Sequence, residues 1–182
     1  MSKKVLIISA SPRKNGNSDL LCDEFARGAT KAGHEVEKIR LAEKKIGYCI
    51  GCNACRTVGK CFQQDDANGI IEKMLSADVV VLATPVYFYS MDAQLKTLID
   101  RSVSRWSDFG RFKGTEFWHI ITAADTNKDM MSATLEGLRG FMRDCMEGTV
   151  ERGVLYGTGA YEKGEVRKLP VFKDAYEAGR SC

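Results

Sequence analysis

Short apolar runs alternate with segments of helical spacing along this chain, and the alternation predicts its elements. Val5-Leu-Ile-Ile8 lies in a first strand over residues 4–9. Leu21, Phe25 and Ala29 form the apolar stripe of a helix over 17–32, and Gly33 suits the left-handed position that ends it. A second strand over 35–41 alternates loosely around Val36 and Ile39. Asp65 or Asp66 begins a short helix running to about residue 76. Val79-Val-Val-Leu82 is apolar on both faces, which predicts a central strand of a parallel sheet over 78–84. Helices follow over 91–105, with Leu95, Leu98 and Ile99 inward, and over 130–146; strands follow over 115–123 and 149–156. A closing helix over 165–178 starts irregularly because of Pro170. Strand–helix alternation throughout predicts one α/β domain over residues 1–182: a doubly wound, five-stranded parallel sheet with right-handed crossovers and helices on both faces.

Composition narrows the function classes. A chain of 182 residues with 44% hydrophobic and 28% charged positions has enough apolar mass for one ordinary core. A net charge of +3, with Lys and Arg scattered, argues against nucleic acid as a partner. No apolar run approaches the ~20 residues of a membrane span, and Met1-Ser-Lys-Lys leads into a strand without a cleavage pattern. The expectation is a cytoplasmic protein that stays off the membrane. Seven cysteines in that compartment speak against a disulfide framework, and four of them crowd into residues 49–61.

The first candidate for chemistry is Ser9-Ala-Ser-Pro-Arg-Lys-Asn-Gly-Asn-Ser18, between the first strand and the first helix. Such a loop offers unpaired amides and the positive end of a helix dipole to an anion. Ser9, Ser11, Asn15, Asn17 and Ser18 add short donors, Arg13 adds a fixed cation, and no carboxylate interrupts the loop. It suits a phosphate monoester. The competing reading is a plain turn whose serines cap the helix. Neither the triphosphate loop nor the dinucleotide fingerprint is matched.

The second is Thr84-Pro-Val-Tyr-Phe-Tyr-Ser-Met91, past the carboxyl end of the most apolar strand, where open α/β sheets bind ligands. Three consecutive aromatics there fit a flat apolar ring such as an isoalloxazine, or else fill core or dimer-interface gaps. The third is Cys49-x-x-Cys52-x-x-Cys55-x5-Cys61, in a cysteine-rich loop at 46–64. Four thiols at this density suit a cluster or metal that takes four soft ligands. Zinc ranks second, since its structural sites more often pair two knuckles across a longer gap. Thiols that simply pack or oxidise are the remaining alternative.

Ser11-Pro-Arg-Lys-Asn-Gly-Asn-Ser18 resembles the phosphate loop of the NAD(P)H-dependent FMN reductase family, nearest to its iron–sulfur flavoprotein branch. The likeness continues through the cysteine run, Asp65-Asp66, residues 84–91 and Lys96-Thr-Leu-Ile-Asp-Arg101, then weakens to a general pattern. It implies a flavodoxin-like fold with strand order 2-1-3-4-5, bound FMN, and Pro85, Val86, Tyr87 and Phe88 bordering the flavin. It also implies a 4Fe–4S cluster on Cys49, Cys52, Cys55 and Cys61, although five residues precede the last cysteine and Phe62 stands where ferredoxin runs carry proline. By the same resemblance the chain is a homodimer or homotetramer.

Lesser features complete the reading. Thr122, Ala123 and Asp125 follow the fourth predicted strand, where the fold predicts a minor flavin contact, and Gly157-Thr-Gly-Ala-Tyr161 adjoins the same edge. Arg101 is expected to reach its helix's own carbonyls or a neighbouring subunit, and residues 104–112 to pack in the core, cover the flavin or meet a partner. His119 is expected to be a satisfied core residue, His34 to be exposed, and Cys22 and Cys145 to pack as small apolar residues. No side chain is assigned as catalytic, because a flavin would carry the chemistry. Three functions remain open: an NAD(P)H-dependent reductase of a quinone, flavin or similar small acceptor; a cluster-bearing flavoprotein served by ferredoxin-type donors; and a non-catalytic flavin and thiol redox sensor.

Overall fold

The computed structural model describes residues 1–182. Strands β1 (Lys4–Ser9), β2 (Glu35–Arg40), β3 (Val79–Tyr87), β5 (Glu116–Ala123) and β6 (Val150–Thr158) form one parallel sheet in the order β2-β1-β3-β5-β6. That is the expected 2-1-3-4-5 order. A short strand β4 (Ser90–Met91) folds back antiparallel on β3. The helices are α1 (Asn17–Lys31), α2 (Cys55–Val58), α3 (Ala67–Leu75), α4 (Ala93–Ser102), α5 (Ser132–Arg139) and α6 (Val171–Ser181).

Alternating strand positions feed two cores. Val5, Ile7, Val79, Val81 and Ile120 pack with Leu21 and Phe25 of α1 and Ala175 and Ala178 of α6. Leu6, Ile8, Val80, Leu82, Phe117 and Ile121 pack with α3, α4 and α5 on the opposite face. All four side chains of Val79–Leu82 are fully buried, as a central parallel strand requires. Helices α1 and α6 cross in backbone contact. A Cβ on Gly28 would lie 2.0 Å from the Tyr176 carbonyl oxygen, and one on Gly179 would lie 2.0 Å from that of Phe25.

Several expectations need correction. The helix placed over 91–105 starts only at Ala93, because Ser90 and Met91 pair with Tyr87 and Val86 and Asp92 caps the helix by accepting from the Leu95 amide at 3.1 Å. It gives way after Ser102 to a tighter 3₁₀ stretch, Val103–Phe112, which buries Phe109 and Phe112. The helix placed over 130–146 is three pieces: a 3₁₀ turn at Lys128–Met131, α5, and a wide π turn at Gly140–Asp144 that buries Phe141 and Met142 side by side. Cys145, just past that turn, is exposed rather than packed. His34 is half-buried, held by the Lys3 amide at 3.2 Å and 2.9 Å from the Cys182 carbonyl oxygen. Pro170 does disturb the last helix, splitting a 3₁₀ turn from α6.

His119 is a core residue but not a satisfied one. It is fully buried on β5 with neither ring nitrogen hydrogen-bonded, and Glu151 is 3.9 Å away. Burial pushes its pKa down from 6.5 to about 4, outweighing the attraction of Glu151. Between those values the unfolded chain binds the extra proton, so this residue removes stability as pH falls from about 6.5 towards 4, by roughly 3 kcal/mol at full extent. His119→Leu should therefore flatten the acid limb of a stability-against-pH curve measured by urea unfolding. An acid limb as steep as the wild type's would show that other groups control it.

Candidate functional site

The register places Ser9 beside Ala83 and Pro85 beside Thr122, so the loops leaving β1, β3 and β5 converge at one sheet edge. They enclose a cleft of about 190 Å³ lined by Ser11, Arg13, Asn17, Ser18, Pro85, Val86, Tyr87, Thr122, Ala123 and Ala124. The turn after β6 closes it with Ala160 and Tyr161. The strand order changes direction between β1 and β3, the place where doubly wound sheets take a ligand.

The β1–α1 loop presents unfilled donors. Gly16 stands at the cap of α1 and no side chain caps that helix, so the serines do not play the competing role. The amides of Lys14, Asn17, Ser18 and Asp19 have no acceptor. A row of open amides at a helix start fits an oxyanion. Ser11 and Ser18 are buried and face the cleft, with Arg13 at its mouth. Asn17 contributes its backbone only: its amide group donates to Ala160 and Glu162 carbonyls and accepts from Gly164 and Val166, lashing the last loop to the first.

Three expected residues lie elsewhere. Ser9 donates to Asp19 at 2.8 Å beneath the loop. Asn15 does not line the cleft; its φ is +55°, and its amide donates to Asp19. Asp125 accepts from the Asn127 amide and stays out of the cleft. Phe88 also leaves it. With Tyr89 it forms a two-residue turn in left-handed backbone (φ +49° and +64°), and its ring is fully exposed. Tyr87 remains on the cleft wall. Sequence reasoning missed Asp19 as a loop partner and underweighted Ala160 and Tyr161, whose place after the last strand was the available signal.

Beneath the hairpin, the Asp92 amide donates to Thr84 Oγ1 at 3.0 Å, tying the start of α4 to β3. Burial pushes the Asp92 carboxyl up to about 6 against the hydrogen bond from the Leu95 amide.

The cysteine loop forms a second cavity of about 620 Å³. Cys49, Cys52, Cys55 and Cys61 all line it, with Ile50, Phe62, Val103 and Trp106 at the rim. Left-handed residues Gly51, Asn53 and Gly59 coil the chain around it. No three ligating side chains converge tightly enough to hold a metal ion as the loop stands. The donor set nevertheless fits a four-thiolate group: four soft ligands line one cavity with the buried Arg101, whose Nε has no partner.

Arg101 corrects its expected role. It is 1% exposed and reaches neither its own helix's carbonyls nor the surface. Its Nη1 donates to the Gly47 carbonyl at 2.8 Å and to Asp65 at 2.6 Å, and its Nη2 to the other Asp65 oxygen at 3.0 Å. Asp65 in turn accepts from the Gly47 and Ala67 amides. One ion pair thus holds both ends of the cysteine loop. Burial is the largest single influence on Asp65 and opposes its charge, but the Arg101 guanidinium together with the Gly47 and Ala67 amides outweighs it and keeps the carboxyl below the usual range.

Residues 3–140 match the NADPH-dependent FMN reductase family. An iron–sulfur flavoprotein of Methanocaldococcus jannaschii is 48% identical over 99 residues, covering 54% of this chain and 51% of that protein. An iron–sulfur flavoprotein of Archaeoglobus fulgidus is 34% identical over 165 residues, covering 90% of this chain and 71% of that protein. The chain thus spans about half the length of the first relative and 71% of the second. In fold, an NAD(P)H:quinone oxidoreductase from Methanothermobacter marburgensis superposes with a TM-score of 0.79 at 18% identity, over 100% of this chain and 96% of that one.

Proposed function

Because this chain belongs to the NADPH-dependent FMN reductase family, on its iron–sulfur flavoprotein branch, we propose that it is an FMN-dependent oxidoreductase drawing on NAD(P)H to reduce a small acceptor such as a quinone or a flavin. The observation that carries the reading is the shared cleft, with uncapped amides at one end and an aromatic-walled slot at the other. In this reading the amides of Lys14, Asn17 and Ser18, the Ser11 and Ser18 hydroxyls and Arg13 bind the FMN phosphate. Pro85, Val86 and Tyr87 orient the ring system, and Thr122–Ala124 with Tyr161 shield it from water. FMN when bound supplies hydride acceptance and electron transfer. The chain's own part is to position it and select what reaches it.

A second reading, favoured by the four thiols on one cavity beside a buried guanidinium, gives Cys49, Cys52, Cys55 and Cys61 to a 4Fe–4S cluster. Such a group supplies one-electron exchange, which suits a ferredoxin-type donor. No helix is long and apolar enough to cross a membrane.

Adding FMN to apoprotein should quench flavin fluorescence stoichiometrically, and NADPH should then bleach the bound flavin. A preparation that is colourless once FMN has been added and unbound flavin removed ends the FMN reading. Iron and acid-labile sulfide after anaerobic purification, with little response to NADPH, favour the second reading over the first.

A further inference from the structure

Behind the proposed phosphate loop sits a buried carboxylate. Asp19, in the first turn of α1, is 1% exposed. Its Oδ1 accepts from Ser9 Oγ at 2.8 Å, from Lys38 Nζ at 2.8 Å and from Arg40 Nε at 3.3 Å. Its Oδ2 accepts from the Asn15 amide at 2.8 Å. An anion so close behind an anion site is unfavourable unless it is neutralised and its geometry is needed. Both conditions are met. Two cations from β2, Lys38 (shared with Asp23) and Arg40 (shared with Glu43), offset the charge, and the Asn15 amide is held where φ is +55°, a left-handed conformation that costs a side-chain-bearing residue energy. That turn immediately precedes the open amides of Asn17, Ser18 and Asp19.

We propose that Asp19 is the positioning residue of the phosphate loop: it locks Asn15 in the left-handed turn, with Lys38 and Arg40 offsetting its charge, and so sets the preference for a phosphorylated flavin over riboflavin. This rests on the FMN reading and adds to it a residue that never touches the ligand. Asparagine cannot replace it. Whichever way its amide is turned, an NH₂ group faces donors from Ser9, Lys38 and Arg40 or the amide of Asn15.

The test titrates apoprotein with FMN and, separately, riboflavin, comparing wild type with Asp19→Asn. The FMN dissociation constant should rise about tenfold or more while that of riboflavin moves less than about twofold, the loss expected when a buried donor is left without its acceptor. Asn15→Gly in the Asp19→Asn background should recover much of the lost FMN affinity, because glycine adopts the left-handed turn unaided. Equal weakening of both flavins, or no rescue by glycine, overturns the proposal. Should Asp19→Asn fail to fold, Lys38→Gln carries the test: with Asp19 under-neutralised, FMN binding weakens most at low salt and riboflavin binding does not. A salt-independent result there overturns it equally. Failure of the underlying reading looks different: wild type then binds neither flavin, and the assignment falls with it.

Discussion

Alanine at Gly28 or at Gly179 should remove most of the protein's stability. In both cases the new methyl would lie 2.0 Å from a backbone carbonyl oxygen of the opposing helix, well inside van der Waals contact. No rotamer change relieves a clash with backbone, so α1 and α6 must part. Separation strips packing from Phe25, Ala29, Ala175 and Ala178, all buried in one core. Ordinary overpacking costs about 1–3 kcal/mol, and this case should exceed it, against a total stability of roughly 5–15 kcal/mol. Urea unfolding followed by far-UV circular dichroism reads the effect. Gly69→Ala on α3 is the control, since a Cβ there meets nothing within 4 Å and should be neutral or slightly stabilising. Equal midpoints for Gly28→Ala and Gly69→Ala would show that the two helices are not locked together.

The second large effect is expected at Arg101. Removing one partner of a buried ion pair costs about 3–5 kcal/mol, because the other charge stays behind uncompensated. Arg101→Met would strand Asp65 and also release the Gly47 carbonyl, freeing both ends of the cysteine loop. Lysine should rescue poorly, since a single ammonium cannot make the two-pronged contact with Asp65 while reaching Gly47. Two measurements follow from this. The unfolding midpoint should drop, and trypsin should cut faster after Arg56 and Lys60, both inside the loop and exposed. Asp65→Asn should reproduce part of the loss, and the double variant should fall short of the sum of the singles, as one coupled unit requires. Strict additivity, with no gain in cleavage, would mean the loop is held by something else.

Most of the sheet was readable because strand burial is a local signal. Val79–Leu82 declares a two-sided strand by composition, and Gly33, whose φ is +89°, marks a helix end by conformation. The hairpin that shortened α4 left no such mark. Its turn uses Phe88 and Tyr89 in left-handed backbone, where Asn-Gly would be the usual signal, and it is held by Thr134 Oγ1 donating to the Tyr89 carbonyl at 3.1 Å. A residue on α5 thus stabilises a turn that local preference disfavours.

From the order of residues alone came the alternating α/β architecture, the anion-suited turn after the first strand, the aromatic bend after the third element of the sheet, and four clustered thiols. Each follows from neighbours within a few positions, where periodicity and backbone preference act. Folding decided which of those groups share a cleft, that Ser9 turns away from it while the Asn17 side chain is tied to the last loop, that Asp19 and Arg101 are the buried charges holding the two loops, and that two glycines allow helices to touch. Those outcomes depend on partners about 10 to 150 positions away, and ion-pair geometry and close packing are properties of distance in space, which no local pattern encodes.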